Sequence, residues 1–524
     1  METHCLRHTE FPGTSRLFAD FQYHFDRLSR FYAHPPYDPD SYARAASEID
    51  YPDTRRQALV TAIARTNPAS PALDLLAKPG TVAVVTGQQV GLFSGPAYTI
   101  YKALTAARLA RDLTARGIPA VPVFWLATED HDFAEVNHCR VFSPGYRPSE
   151  VRAEAVASQQ PVGTIALPNP PLGALAEALE GFPYGGEISS LAAECYQPGA
   201  TLGAAFRHLL QQLLADFNLL YLDPLEPSLR DIAGPFLAQA LAAAPSLNAA
   251  LLDRGRDLEQ SGYHSQVLVE PETSLFFRLE DGHRIPLRVR NGGYASKARS
   301  YSVEELAASP ERLSPNALLR PVMQDYLLPT VAYVGGPAEL AYLAQSEVVY
   351  RQLLHRMPVA VARSGFTVVD ERSFEKMREY GMGLPAFFAP GETVRERIAR
   401  HLVPPSLLGH YSEARQSQKA LLESLGAETA RFDPTLGKAA RTGLGKIEYQ
   451  LLKLERKVAR EALRRDERAR TQADSLINLL YPAKHAQERY YSILPFLAQH
   501  GPQLLHALDA SIHLDCPDHK LLVV

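Results

Sequence analysis

The sequence predicts an α/β fold, a parallel sheet carrying inserted segments and followed by an α-helical domain. Two observations lead there. Apolar, β-branched runs at Val82–Val85 and Val121–Leu126 flank one long helical pattern from Pro96 to Arg116, and strand–helix–strand alternation belongs to parallel sheets. From Ser373 to about Leu508 the pattern is almost wholly helical, with breaks near Pro385, Pro390, Pro404-Pro405, Pro434 and Pro482. At 524 residues the chain is too long for one simple core. The expected organisation is a helical lead-in over 1–75, a sheet core over 76–372 with insertions near 142–200 and 270–312, a helical domain over 373–510, and a C-terminal segment over 511–524.

Taken in order, Phe18, Phe21, Phe25, Leu28 and Phe31 recur near helical spacing. Tyr42–Ile49 and Thr54–Thr66 read as further short helices, ended by Asn67-Pro68. The strand–helix–strand unit follows, its helix opened by Gly95-Pro96, where proline's missing N–H costs little. Phe142 to about Gly199 is rich in Pro, Gly, Ala and Glu and reads as an insertion. Leu202–Phe217 resumes an amphipathic helix, and a short buried strand ends at Asp223-Pro224. Ile232–Glu270 reads as a helix-to-strand alternation, and the stretch around Asp281-Gly282 as a β-hairpin. Thr330–Val334 is strand-like, and Gly335-Gly336-Pro337 opens a helix containing Glu339 and Tyr342.

Composition excludes some classes. With 46% hydrophobic and 21% charged residues the chain has an ordinary globular make-up. A formal charge of -4 gives no argument for nucleic acid or an anionic membrane. Cys5, Cys139, Cys195 and Cys516 are scattered without zinc or disulfide spacing, which suits a reducing cytosol. The first residues lack an apolar signal core and no run approaches a membrane span, so a soluble cytoplasmic protein is expected.

The chemistry-bearing residues gather at strand ends. The first apolar run leads into TGQQVGLFSGP, the second into ATEDHD, and open parallel sheets bind ligands beyond the carboxyl ends of their strands. ATEDHDFAEVNH packs Glu129, Asp130, His131, Asp132, Glu135 and His138 together. Such a cluster supplies a general base, a proton shuttle or ligands for a divalent metal. Its spacing matches no zinc signature, and an acidic helix cap with a solvated histidine is the plain alternative. The Gly335-Gly336-Pro337 helix start can hold an anion on backbone N–H groups, or can be a steric turn and nothing more. Neither Cys139 nor Cys195 has a neighbour that would activate a thiolate, and no P-loop or dinucleotide fingerprint occurs at the strand ends. In the helical part Leu444, Ile447, Leu451, Leu454 and Val458 form a short coiled-coil seam. The Arg and Lys around it alternate with Glu and Asp, a solvated face, and an antiparallel helical hairpin mediating dimerisation is the expected use.

Four stretches carry a resemblance: TGQQVGLFSGPAYTIYKA, PVFWLATEDHDFAEVNH, LLRPVMQDYLLPTVAYVGGPAELAYLAQ and YPAKHAQER. Together they resemble the bacillithiol biosynthesis cysteine-adding enzyme family, BshC. The resemblance implies a Rossmann-like core with inserted connecting regions and a C-terminal coiled-coil domain that forms a homodimer. It implies a ligase that joins cysteine to glucosaminyl-malate through an amide bond. Because amide formation from a free carboxylate is unfavourable in water, ATP is the implied cosubstrate, with no permanently bound metal. The family's core is similar to class I aminoacyl-tRNA synthetases, whose His-x-Gly-His signature steadies phosphate charge. Here the matching positions read Phe93-Ser94-Gly95-Pro96, and Ala295-Ser296-Lys297 is a faint echo of the lysine-rich loop.

On this reading Asp130 or His131 takes a proton from the attacking amine. Gln88, Gln89, Gly91, Gly95, Tyr98, Glu129, Asp132 and Asn137 contact substrate from the first unit. Arg320, Gly335, Gly336, Pro337 and Glu339 hold an anionic group. Two alternatives remain open: a metal-dependent hydrolase or transferase using the Glu129–His138 cluster, and a catalytically degenerate dimeric scaffold.

Overall fold

The computed structural model describes residues 2–154 and 159–524. Two compact units divide the chain, one of Met1–Pro144, Pro148–Val368 and Glu488–Val524, the other of Gly145–Arg147 and Val369–Gln487.

The larger unit is built on five strands: β1 (Val82–Gln89), β2 (Ala120–Ala127), β3 (Leu220–Leu222), β4 (Thr330–Gly335) and β5 (Val359–Ala362). All neighbours are parallel, in the spatial order β5-β4-β1-β2-β3. The chain therefore grows outward from β1 through β2 to β3, then crosses back to lay β4 on the other side of β1. That reversal point is where doubly wound sheets open a crevice for ligands.

Both faces of the sheet are covered, which is why its strands read as apolar runs. Ala83 and Val85 of β1 enter one core while Val82 and Val84 enter another. Helix α1 (Tyr98–Ala115) closes the second face with Ala106, Leu109, Ala110 and Leu113. The first face is closed by α2 (Pro227–Gln260) and α3 (Pro337–Leu353) together with Phe18, Phe21, Phe31, Leu59 and Ile63. The N-terminal segment is thus a wall of this core.

Helix α2 departs from the sequence reading. A single 34-residue helix replaces the expected helix-to-strand alternation and carries Pro235 and Pro245 inside it. It is long and apolar enough by length and composition to cross a membrane, where no such run was expected. Its Leu229, Phe236, Leu237, Leu247, Leu251 and Leu258 lie in the sheet core, so packing accounts for its apolar stripe. The hairpin Thr273–Glu280 and His283–Arg290 turns at Asp281 and Gly282, both with positive φ. Those angles fit the two-residue turn that Asp-Gly favours.

Residues 488–524 belong with the sheet, whereas the sequence reading carried the helical domain to residue 510. Buried Glu488 pairs with Arg363 at 2.5 and 2.8 Å, and Ala97 N–H donates to the Tyr491 carbonyl at 2.7 Å. Strand His519–Val523 then pairs antiparallel with Glu2–Leu6 and lies between it and Phe366–Val369.

The smaller unit centres on α4 (Pro405–Phe432) and α5 (Pro434–Arg465), joined by Asp433, whose carboxylate caps α5 through Thr435 N–H at 2.8 Å. Ala399, Val403, Ala459, Leu463 and Ala469 make a small core. Glu455 is buried between Arg400 at 2.5 Å and Arg415 at 3.1 Å. The expected seam is only partly used within the chain, since Ile447 and Leu454 remain 39% and 49% exposed.

Candidate functional site

A cavity of about 610 Å³ opens at the carboxyl ends of β1, β2 and β4, where the strand order reverses. Gly87, Gln88 and Gln89 reach it from β1, Trp125 and Ala127 from β2, Glu129, Asp130 and His131 from the following loop, and Tyr333 from β4. Gly336, Pro337, Glu339 and Tyr342 enter from the start of α3, and Tyr98 and Lys102 from α1. The hairpin and its neighbours add Phe277, Arg284, Asn316 and Arg320, and the last strand end and C-terminal stretch add Arg363 and Arg489.

Two ionised groups organise one side. Buried Lys102 donates to the Gly87 carbonyl at 2.9 Å and Gln88 Oε1 at 2.8 Å, and pairs with Glu339. Burial pulls the Lys102 ammonium below the usual lysine range, with Glu339 opposing that pull. Burial pushes Glu339 upward, but Lys102, the Gly336 N–H at 2.8 Å and the Tyr333 hydroxyl at 2.7 Å outweigh it and hold the carboxyl low. Tyr342 accepts from Arg320 at 2.7 Å, and Gln88 Nε2 faces the Tyr98 hydroxyl at 3.3 Å.

The other side carries Asp130. Burial raises its pKa, yet hydrogen bonds from Gln89 at 2.6 Å and from His131 N–H at 2.7 Å, with the nearby Arg284, leave it below the ordinary aspartate value. Arg284 stacks on Phe277 at 3.7 Å and stands 3.3 Å from His131 Nδ1. A guanidinium only donates, so Nδ1 accepts and the imidazole proton is assigned to Nε2. His131 therefore faces the site as a donor, which leaves Asp130 as the proton acceptor.

The structure redistributes the sequence-derived residues. Gln88, Gln89, Tyr98, Glu129, Asp130, His131, Arg320, Gly336, Pro337 and Glu339 line the cavity together. Gly91, Gly95, Asp132, Asn137 and Gly335 are not among its lining residues. A Cβ on Gly91 would meet Gly95 Cα at 2.9 Å, and Gly95 has φ 63°, so these glycines let the loop fold onto itself. Phe93 is buried against Tyr196, whose hydroxyl accepts its N–H at 2.9 Å. Asp132 caps the short helix Phe133–Val136 at Glu135 N–H, and Asn137 accepts from Arg152 at 3.0 Å. Gly335 packs under its neighbours, since a Cβ there would lie 3.0 Å from Glu339 Cβ and 3.2 Å from the Tyr333 ring.

The expected anion site at the α3 start is also corrected. Pro337 has no N–H and Gly336 N–H is taken by Glu339, so the anion held there is the chain's own carboxylate. Glu129 is drawn to Arg230 at 2.6 Å, fixing the loop to α2. Gln89 Nε2 donates to both Asp130 at 2.6 Å and Glu135 at 2.8 Å, and among the described residues no group of three His, Cys, Asp or Glu could hold a metal ion. Lys297 lies outside the cavity, so neither phosphate-binding signature of a class I synthetase is built at this site.

Sequence reasoning left out of its candidate set Lys102, Trp125, Phe277, Arg284, Tyr333, Arg363 and Arg489. Arg363 was within reach, because it directly follows β5 as Asp130 follows β2. Arg284 and Arg489 are brought in from distant segments and had no local signal.

A five-stranded Rossmann-like sheet with a strand-end cavity, joined to a helical hairpin unit, defines a small-molecule enzyme with an appended coiled coil. The chain belongs to the bacillithiol biosynthesis BshC family. Residues 1–364 match its N-terminal Rossmann-like domain and residues 366–523 its C-terminal coiled-coil domain. A relative from Solibacter usitatus, named "Putative cysteine ligase BshC", is 50% identical over 100% of both chains. Relatives of the same name from Koribacter versatilis and Salinibacter ruber are 37% and 32% identical, covering 99% and 86% of this chain and 99% and 84% of their own.

Proposed function

We propose that this chain is a cysteine ligase of bacillithiol biosynthesis, joining the carboxyl of L-cysteine to the amine of glucosaminyl-malate with ATP-dependent carboxyl activation. The observation that carries it is the ionised Asp130 at the switch-point cavity, opposite a set of cations that suits anionic substrates. Once the amine has added to an activated carboxyl its N–H becomes strongly acidic, so the ionised Asp130 carboxylate lining the cavity can take that proton even though its low pKa makes it a weak base. His131 Nε2–H and Tyr98 supply donors to substrate oxygens. Arg284, Arg320 and Arg489 provide positive charge for the malate carboxylates and for the anionic leaving group of an activated acyl, while the charge of Arg363 is balanced by Glu488. ATP supplies the activation; the missing histidine signature means that its phosphates would be met by these arginines instead.

The test is amide formation from cysteine and glucosaminyl-malate, followed by mass spectrometry with and without ATP. Asp130→Asn is expected to lower turnover by about a hundredfold or more at unchanged melting temperature. Full activity in that variant would remove Asp130 from the mechanism, and product formed without nucleotide would remove ATP. A reducing cytoplasm, which the scattered unpaired cysteines suit, belongs to the same reading. The exposed Leu421, Leu425, Ile447 and Leu454 of the helical hairpin favour a homodimer made through that unit, which light scattering of a Leu454→Glu variant tests.

A further inference from the structure

Trp125 is the only tryptophan in the chain. It is 0% exposed, yet it lines the cavity, and its indole Nε1 has no hydrogen-bond partner. Buried donors are almost always paired, so an unpaired one calls for a reason. The other unpartnered buried polar atoms among the described residues, such as those of Tyr101, Tyr221 and Thr99, belong to residues that do not line the cavity. Trp125 alone combines the two properties.

The sheet leaves no room for a side chain opposite Trp125 on β1. Gly87 stands beside Trp125 in the β1–β2 register, and a Cβ there would meet the Trp125 carbonyl oxygen at 2.9 Å and its Cβ at 3.0 Å. The neighbouring donors are already committed. Lys102 is shared among the Gly87 carbonyl, Gln88 and Glu339, Arg320 serves Tyr342 and Gln324, and Arg363 serves Glu488. An indole N–H only donates, so it accepts neither an ammonium nor another donor as partner. Being neutral and fully buried, it suits an uncharged oxygen better than a carboxylate, which would seek the arginines.

We propose that Trp125 Nε1–H is a substrate-contacting donor that recognises a sugar oxygen, a hydroxyl or ring oxygen of a polyhydroxylated ligand, and so selects the sugar partner over the amino acid. This rests on the ligase reading for the identity of that ligand, glucosaminyl-malate. The sole indole also makes the site optically visible. Saturating glucosaminyl-malate is expected to shift or quench wild-type tryptophan emission along the isotherm that calorimetry gives for the same ligand, while L-cysteine alone leaves emission unchanged. Trp125→Phe, which keeps an aromatic six-membered ring but loses the donor together with the five-membered ring, is expected to raise KM for glucosaminyl-malate by about tenfold. Its kcat and its KM for cysteine should stay within about twofold, a split that a merely structural role would not give.

Calorimetric binding without any emission change overturns the contact, as does an unchanged KM in a folded Trp125→Phe. A cysteine-dependent shift equal to that of the sugar ligand overturns the selectivity. A saturable emission shift without amide product leaves the contact standing and removes the ligase reading. Absence of any glucosaminyl-malate binding overturns both.

Discussion

Gly91–Pro96 follows β1 and Gly335–Pro337 runs from the last residue of β4 into α3, so two strands that lie side by side each hand over to a helix through glycine and proline. The first loop turns into the protein. Phe93 goes against Tyr196, Ser94 faces Ser492 at 3.2 Å, and the two glycines touch backbone to backbone. The second turns to the cavity, where Glu339 folds back on its own helix start and meets Lys102. Similar residue chemistry thus produces a buried turn in one place and a charged cavity wall in the other. Glycine and proline settle how the backbone bends; what surrounds the strand end settles what the bend is for.

Four experiments would break or sharpen that contrast. The largest effect is expected at the cavity turn, where Glu339→Ala strands a buried ammonium and should cost roughly 3–5 kcal/mol in chemical denaturation. Lys102→Met combined with Glu339→Gln should recover most of it, and no recovery would show that the two charges are not each other's main partner. Next comes pH. Burial holds His519 neutral with its pKa lowered to about 3, despite Glu488 nearby and with His8, Arg363 and Lys520 also facing it. Between about pH 6.5 and 3 the unfolded chain binds the proton and the folded chain does not, so stability should fall as pH drops through that window, by on the order of 3 kcal/mol at pH 4. His519→Gln should flatten this slope, and an unaltered slope would assign it to other groups.

At the buried turn Gly91→Ala forces a Cβ onto Gly95 and should destabilise by about 1–3 kcal/mol while activity per folded molecule is kept. Loss of activity without loss of stability would return that loop to the substrate site. The smallest effect is expected at Asp132→Ala, which removes an exposed helix cap worth roughly 1 kcal/mol and should leave kcat/KM alone. A large kinetic effect there would restore Asp132 as a substrate contact.

The contrast also marks where sequence reading stops. The strands of the sheet were legible because burial on both faces turns them into unbroken apolar runs, and Gln88, Gln89, Asp130 and His131 were legible because they sit just past those runs. The inward direction of the Phe93 loop was not, since it depends on Tyr196, about a hundred residues away. Nor was the Arg284 contact that fixes the His131 tautomer, because it is delivered by a hairpin whose own sequence reports only its turn. The return of residues 488–524 to the sheet was hidden for a related reason: helical periodicity continues past Gln487, and long-range contacts such as the Arg363–Glu488 pair, the Ala97–Tyr491 hydrogen bond and the final strand disclose where the segment packs. The long α2 was misjudged as a helix-to-strand alternation, because local pattern does not report the packing against the sheet that keeps the helix continuous through Pro235 and Pro245.

The small three-stranded sheet places His519–Val523 in its middle, with Glu2–Leu6 on one side and Phe366–Val369 on the other. On the ribosome both flanking strands emerge well before the one that must lie between them. Their ladder hydrogen bonds wait until residues 519–523 have been made, while the intervening helical unit is free to form meanwhile. Arrival of this one strand, more than of any element before it, becomes the event that locks this part of the molecule. A chain cut before His519 would hold two strands with nothing between them.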